Sequence, residues 1–316
     1  MKIPWIKLSV FLLILIGVGI AFYLVPRKRP LEFYTKRAEE AFQSKNFNPS
    51  IELYLKALKL YPQQDHTPEI LLTIGDIYNF SLGNVDKAGK AYDMLTSRFP
   101  HSSEAKKGFE HSAEMYEKNS QYEQALLSYQ GVIDNFPDAN NLDEIRFKVA
   151  TMALKLKKYK PARLALMAIV EKNPETPIAD RVLYQLGNTF FMEGGMREAV
   201  QVLKVAVEKF PNSPLNTEMQ FTMANAYEEL GQFEDALKIY KTIQPLYPNP
   251  KVIENKIEKI SQRSTEANDK RNKILEQAKK SNPSLQNLTL PKGRSAPTTK
   301  KGHYLDALPE DLSFPE

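Results

Sequence analysis

Between Leu31 and Pro248 the apolar positions recur in blocks that share one layout. The block from Gly187 to Pro211, GNTFFMEGGMREAVQVLKVAVEKFP, shows it: an apolar run, a Gly-Gly break, a second apolar run and a closing proline. Within each run the apolar residues fall three and four apart, the spacing that gathers side chains on one face of an α-helix. The block therefore predicts two helices joined by a tight turn. Aligned on their closing prolines, the copies end at Pro62, Pro100, Pro137, Pro174, Pro211 and Pro248, an interval of 38 residues followed by four of 37. A fixed period of this size is the mark of a stacked helical repeat.

Three positions of the second helix keep their character from copy to copy. Twelve residues before each proline stands a small residue: Ser50, Ala88, Ala125, Ala162, Ala199 or Ala236. Eight before it stands a large apolar one: Tyr54, Tyr92, Tyr129, Leu166, Leu203 or Tyr240. Five before it come Ala57, Leu95, Val132, Ile169, Ala206 and Ile243. The first helix carries a small residue (Ala38, Gly75, Ala113, Ala150, Gly187, Ala224), followed three later by Ala41, Tyr78, Tyr116, Ala153, Phe190 or Tyr227. Burying one large apolar side chain is worth roughly 1.5–3 kcal/mol, and one helix pair cannot cover both of its apolar faces. Such pairs are stable only as an array, each leaning on the next.

These residues resemble the tetratricopeptide repeat family: the Gly or Ala and the aromatic of the first helix, the Ala and aromatic of the second, and the closing proline. The stretch LYQLGNTFFMEGGMREAVQVLKVAVEKFP carries nearly all of them; the first and fourth copies, with Ser50 and Ala41 and with Arg146 and Ala153, carry fewer. The resemblance implies an all-α fold, a right-handed α-solenoid of about six helix pairs over residues 30–248. The aromatic-Pro-x-Ser junctions RFPHSSEA and KFPNSPLN are also similar to those of periplasmic, membrane-anchored tetratricopeptide proteins of Gram-negative bacteria.

Outside the repeats the composition changes. Leu8 to Val25 holds eighteen residues without a charge, about 27 Å as a helix and close to the thickness of a bilayer core. Lys2 and Lys7 precede it, Arg27, Lys28 and Arg29 follow, and Trp5 and Tyr23 stand where interfacial aromatics belong. Residues 1–29 are therefore expected to form a transmembrane anchor, with a cleaved signal peptide as the alternative. The expected location is a single-pass inner-membrane protein with its repeats in the periplasm, or alternatively in the cytoplasm, because the positive charges flank both ends. Residues 249–280 are charged and helical in composition, with Val252, Ile257, Ile260 and Ile274 as the main apolar positions, and are expected to cap the array and extend from it. Residues 281–316 are rich in Pro, Ser, Thr, Asn and Lys, which predicts a disordered tail. Within it Tyr304-Leu305-Asp306-Ala307-Leu308 and Leu312-Phe314 form short apolar interruptions.

Loop chemistry supports the helix boundaries. Thr67-Pro68, Thr176-Pro177, Ser213-Pro214 and Asn249-Pro250 each place a capping oxygen before a proline. Gly83, Gly194-Gly195 and Gly231 fall in the turns within repeats, where a left-handed residue ends the first helix. Gly83 lies in a slightly longer loop, YNFSLGNVDKAGK, which is expected to account for the interval of 38.

The chain has no cysteine, which removes disulfide and thiol chemistry, and a net charge of +5 spread among interleaved acids and bases, which is not a nucleic-acid footprint. The four histidines, His66, His101, His111 and His303, have no metal-ligand spacing. Glu228-Glu229 reads as a solvated helix end. No catalytic residue, cofactor or metal site is expected, and the chain is not expected to be an enzyme.

The resemblance implies that the first helices line a concave groove. On that face Glu110, Phe147, Tyr184 and Phe221 share one register, Glu114, Thr151, Asn188 and Asn225 the next, and Leu154 and Phe191 the one after. Phe147, Tyr184, Asn188, Phe191, Phe221 and Asn225 are the expected partner-binding strip, aromatics supplying area and amides meeting the backbone of a bound peptide. The family's basic clamp for C-terminal carboxylates needs Lys or Arg where Tyr184 and Phe221 stand, so that mode is not expected. The more N-terminal part of the groove, with Glu39, Glu69, Asp76, Glu110 and Glu114, is acidic and suited to a basic segment. The expected function is an adaptor, anchored in the membrane, that binds a peptide or protein in an envelope assembly; the alternative is an oligomerising scaffold subunit.

Overall fold

The computed structural model describes residues 29–62 and 65–281, and all regular structure among them is helical. The helices are α1 (Leu31–Gln43), α2 (Phe47–Leu60), α3 (Thr67–Asp76, continued by a π-helical turn Ile77–Ser81), α4 (Val85–Arg98), α5 (Ser103–Lys118) and α6 (Tyr122–Asn135). They continue as α7 (Leu142–Lys155), α8 (Tyr159–Lys172), α9 (Ala179–Glu193), α10 (Met196–Lys209), α11 (Asn216–Glu229), α12 (Phe233–Ile243) and α13 (Pro250–Ser281). The chain divides into two compact units, one ending at His111 and the other beginning at Ser112, so that α5 contributes to both.

Unit 1 packs α1 against α2 and α3 against α4, around a core that includes Ile51, Tyr54, Ile70, Ile74 and Ile77. Unit 2 pairs α7 with α8, α9 with α10 and α11 with α12, and α13 lies on α12. Leu166, Ile169, Leu183, Leu186, Leu203 and Tyr240 are fully buried there. This is the stacked helix-pair arrangement of an α-solenoid.

In the second and fifth copies the small residue of the first helix faces the large residue of the second. A Cβ added to Gly187 would stand 2.5 Å from Leu203 Cγ, and one added to Gly75 would stand 2.4 Å from Tyr92 Cε1. In the first copy, Ser50 donates its hydroxyl to the Ala38 carbonyl at 2.7 Å, so its buried polar group is satisfied and the helices stay close.

Each first helix ends on a left-handed residue seven or eight positions after its small residue. Gly83, Gly194 and Gly231 have φ of 63°, 91° and 72°, and Lys45, Ser120 and Lys157 hold the same place in their copies at 60°, 59° and 57°. The three without glycine escape a reading of the sequence because the turn, rather than the residue, sets that conformation.

The interval of 38 residues has a different source from the one expected. The extra residue is absorbed within the helix, by the π turn at Ile77–Ser81, and the loop that follows it is no longer than in the other copies. A π turn is how a helix accommodates one inserted residue without losing its ladder. The capping junctions also differ. The Thr67 and Thr176 hydroxyls are buried and find no hydrogen-bond partner among the described residues, and α9 and α11 begin two residues beyond Pro177 and Pro214. Ser213 Oγ does accept from the Leu215 N–H at 3.1 Å, and Asn84, not anticipated, caps α4 by accepting from the Lys87 N–H at 3.0 Å.

α13 buries Ile253 and Ile260 and leaves Ile274 57% exposed. The expected transmembrane helix is corrected here. No helix among the described residues is long and apolar enough to cross a membrane. The stretch from Leu8 to Val25 to which the span was assigned lies outside the described residues, as does the tail motif from Tyr304 to Phe314. The single-pass inner-membrane location, in either orientation, rested on that span and is withdrawn with it.

Candidate functional site

The six residues of the expected strip all belong to first helices of unit 2, and all six are half-buried. Phe147 lies on α7, Tyr184, Asn188 and Phe191 share one face of α9 by their spacing, and Phe221 and Asn225 share one face of α11. Their surroundings differ, and the differences decide which groups a partner could use.

Phe221 is engaged within the protein. Its ring lies 4.9 Å from that of Tyr247 at a 33° tilt and 6.0 Å from that of Tyr240, edge-on. Tyr247 comes from the aromatic-Pro junction after α12 and is missed by register reasoning, which counts first helices alone. Burial, then Glu218 and Tyr184, pushes the Tyr247 hydroxyl above its usual range. Phe147 is covered by the Arg181 guanidinium, 4.6 Å above its ring; the same guanidinium donates to Glu144 at 2.8 Å. Phe191, like Tyr184, packs its ring partly against the unit 2 core.

The amides divide sharply. Asn225 accepts from the Tyr240 hydroxyl at 2.7 Å. At the same register Thr151 donates back to its own helix, to the Phe147 carbonyl at 2.9 Å. Asn188 has no hydrogen-bond partner among the described residues. The cause lies in the second helix: the residue that would face it is Leu203, not a tyrosine. Asn188 therefore keeps two donors and an acceptor available between Tyr184 and Phe191.

Glu228 corrects another expectation. It stands at the Phe191 register, is only 6% exposed, and receives Lys256 at 2.9 Å and Arg263 at 2.8 Å, both from α13. It is a buried pin for the last helix, not a solvated helix end. Glu117 occupies the same register in the third copy. It accepts from Tyr129 at 2.8 Å and is paired with Lys148 of α7 at 3.1 Å.

Unit 1 holds one further titratable cluster. Asp76 Oδ1 accepts from the Tyr92 hydroxyl at 2.8 Å and lies 2.7 Å from His111 Nδ1, with the His111 ring edge-on to Phe80. Tyr92 is fully buried, and burial first, then Asp76, drives its hydroxyl far above the usual range. A phenol that cannot ionise and a carboxylate that already accepts from two donors offer no nucleophile or free base; the cluster ties α3, α4 and α5 together. Among the described residues no group of His, Asp or Glu is placed to hold a metal ion.

Stacked helix pairs with half-buried aromatics and a free amide on one face define a helical-repeat scaffold. Tetratricopeptide repeat models match residues 31–64, 69–102, 111–139 and 190–254, together about half of the 316 residues, and the chain belongs to the tetratricopeptide repeat family. Residues 140–189 fall outside these matches, yet α7, α8 and most of α9 form there. Proteins of this family mediate protein or peptide binding, and the fold is typically an interaction scaffold rather than an enzyme.

Solved structures similar to the chain include the following. A tetratricopeptide repeat protein from Parabacteroides merdae is 17% identical, covering 75% of this chain and 88% of that one at a TM-score of 0.45. YrrB, described as a TPR protein with an unusual peptide-binding site, is 17% identical over 64% of this chain and 96% of its own at 0.48. A Naa15/Naa10 structure bound to HypK-THB is 14% identical at 0.51, over 80% of this chain but 37% of that one. No curated protein matches the chain in sequence. The narrower likeness to periplasmic, membrane-anchored proteins is not shown by any of these.

Proposed function

We propose that the chain is an adaptor whose unit 2 binds a peptide segment of a partner protein along the face formed by Tyr184, Asn188 and Phe191, with Phe147, Phe221 and Asn225 at its borders. The observation that carries this reading is the free amide of Asn188 between two half-buried aromatics. A half-buried amide with no partner among the described residues is suited to the N–H and C=O of a bound backbone, while the rings supply contact area. Phe221 and Asn225, held by Tyr247 and Tyr240, act as a rigid wall rather than as adaptable contacts.

The test is site-specific photo-crosslinking in cells. A photoreactive side chain at Asn188 is expected to trap a discrete partner, and the trapped species is expected to disappear on Tyr184→Ala or Phe191→Ala. The same probe at Gln201, exposed on α10, serves as the comparison. Identical products from both positions would refute the assignment.

A second reading, an oligomerising scaffold, is favoured by one observation: beyond Ser261 α13 has no fully buried residue, and Ile274 stands exposed. Sedimentation of the full chain separates the two, since a monomer rules out self-association through α13, and a dimer dissociated by Ile274→Glu establishes it.

A further inference from the structure

Four copies carry a tyrosine eight residues before the closing proline. Three of these hydroxyls donate within the protein: Tyr92 to Asp76 at 2.8 Å, Tyr129 to Glu117 at 2.8 Å and Tyr240 to Asn225 at 2.7 Å. The fourth, Tyr54, is 8% exposed and has no hydrogen-bond partner among the described residues. It lines a cavity of about 260 Å³ in unit 1, between α1, α2 and α3. Glu39, which stands at the register of Asp76 and Asn225, faces the same cavity but remains exposed and does not accept from it.

The cavity's charge is of one sign. Glu32, Glu39 and Glu69 line it, and no Lys or Arg does. His66 reaches Glu69 at 3.2 Å, but both side chains are about two-thirds exposed and their pairing is easily exchanged. Leu31 and Ile70, both buried, form apolar walls. The Tyr54 hydroxyl is pushed above its usual range by burial, then by Glu39 and Glu69, so it stays protonated beside their carboxylates. A long side chain with apolar methylenes and a cationic head matches each part: stem on Leu31 and Ile70, head among the carboxylates, and the Tyr54 oxygen accepting one of its N–H groups.

We infer that this cavity is a subsite for a lysine or arginine side chain of a partner polypeptide, and that Tyr54 together with Glu39 and Glu69 selects the positive charge. The subsite uses no residue of the unit 2 face, so either assignment stands or falls by itself. The absence of a metal-binding group among the described residues sets inorganic cations aside.

The test uses the full chain and short fluorescent peptides of randomised neutral sequence whose central residue is fixed as Lys, Arg, Gln or Glu. Peptides with Lys or Arg are expected to bind about five- to tenfold more tightly than those with Gln, as two or three half-exposed charge pairs would give. Glu39→Gln with Glu69→Gln is expected to bring that preference to within about twofold. Tyr54→Phe keeps the ring in the core and is expected to lower the preference about threefold, the share of a single hydrogen bond that water competes for. Asn188→Ala is expected to leave it unchanged. Equal binding of Lys and Gln peptides, or a preference that survives the double Glu→Gln change, overturns the inference. Spermidine binding more tightly than the Lys peptide overturns it too, in favour of a polyamine site. Melting temperatures equal to the parent's establish that the variants remain folded.

Discussion

Replacing Gly187 by alanine sets two well-known effects against each other. On helix propensity alone the change is favourable, because glycine inside a helix costs about 1 kcal/mol relative to alanine. Packing opposes it. The new Cβ would lie 2.5 Å from Leu203 Cγ, 2.6 Å from Cδ2 and 3.2 Å from Cδ1. Carbon atoms rest at about 3.5–4.0 Å, so the two helices must part by roughly 1 Å or Leu203 must leave its rotamer. Leu203 is fully buried within the unit 2 core and has little room to yield. Overpacking of this kind costs about 1–3 kcal/mol, and set against the propensity gain of about 1 kcal/mol the net expectation is a loss of about 0–2 kcal/mol.

The partner substitution turns this into a sharper measurement. Leu203→Ala alone leaves a cavity and should cost about 2–5 kcal/mol. In that background the Gly187→Ala methyl enters vacant space, the packing penalty vanishes and the propensity gain of about 1 kcal/mol remains. The double-mutant cycle should therefore show a coupling equal to the lost packing penalty, about 1–3 kcal/mol. Repeat arrays need not unfold in one step, so hydrogen exchange of α9 and α10 amides, read alongside urea unfolding of the full chain, is the suitable assay. A stabilised Gly187→Ala variant with no coupling to Leu203 would refute the close-approach argument.

Three further outcomes follow from the structure. Glu228→Ala should cost about 1–3 kcal/mol, less than a fully buried pair because Lys256 and Arg263 are 34% and 46% exposed and rehydrate when freed; exchange should accelerate in α13 residues 250–263 while α9 stays protected, and uniform exchange would contradict the pin. Burial raises the hydroxyls of Tyr54, Tyr92, Tyr227 and Tyr240 above the ordinary value of 10.0, with nearby carboxylates adding to the effect. Their contribution to stability is complete below pH 10 and is lost as pH rises through the higher folded values, so the last four phenolates should appear only as helicity disappears; phenolate formation finishing near pH 10 in a helical chain would disprove this. Lys157→Gly relieves a left-handed residue at φ 57°, a strain of about 1–2 kcal/mol offset by the greater freedom of glycine when unfolded, for a net gain of about 0.5–1 kcal/mol in urea unfolding; a loss of stability there would mean that the Lys157 side chain makes a contact that matters.

What repeats along the chain is what its residues reveal by themselves. The prolines, the small residues and the large residues facing them recur, so the helix pairs and their stacking are legible in the amino-acid order alone. Features that depend on a single departure from the repeat are not. The left-handed turns at Lys45, Ser120 and Lys157 carry no glycine to mark them. The inserted residue of the second copy is visible as an interval of 38, but nothing in the local sequence marks the π turn at Ile77–Ser81 that absorbs it. Glu228 looks solvated in its local sequence because the two cations that bury it come from α13, outside the periodic pattern, 28 and 35 residues later. Tyr247 lies in a junction, where register counting does not reach.

The residue eight before each proline links these features and offers a decisive exchange. In two copies the tyrosine consumes the polar group facing it, as Tyr92 consumes Asp76 and Tyr240 consumes Asn225; with leucine there, as at Leu203, the facing Asn188 is left free. Leu203→Tyr should therefore transfer the arrangement of the second copy, in which Tyr92 sits against Gly75 and donates to Asp76. Gly187 supplies the same lack of a Cβ, so the larger ring has a precedent for fitting. The phenol is expected to donate to the side-chain carbonyl oxygen of Asn188, shifting the side-chain amide resonances of that residue. Fixing that amide should weaken partner capture by about three- to tenfold, the worth of one hydrogen bond, with thermal stability little changed. A Leu203→Tyr variant in which the Asn188 resonances move and capture does not would show that the free amide is not what the partner uses.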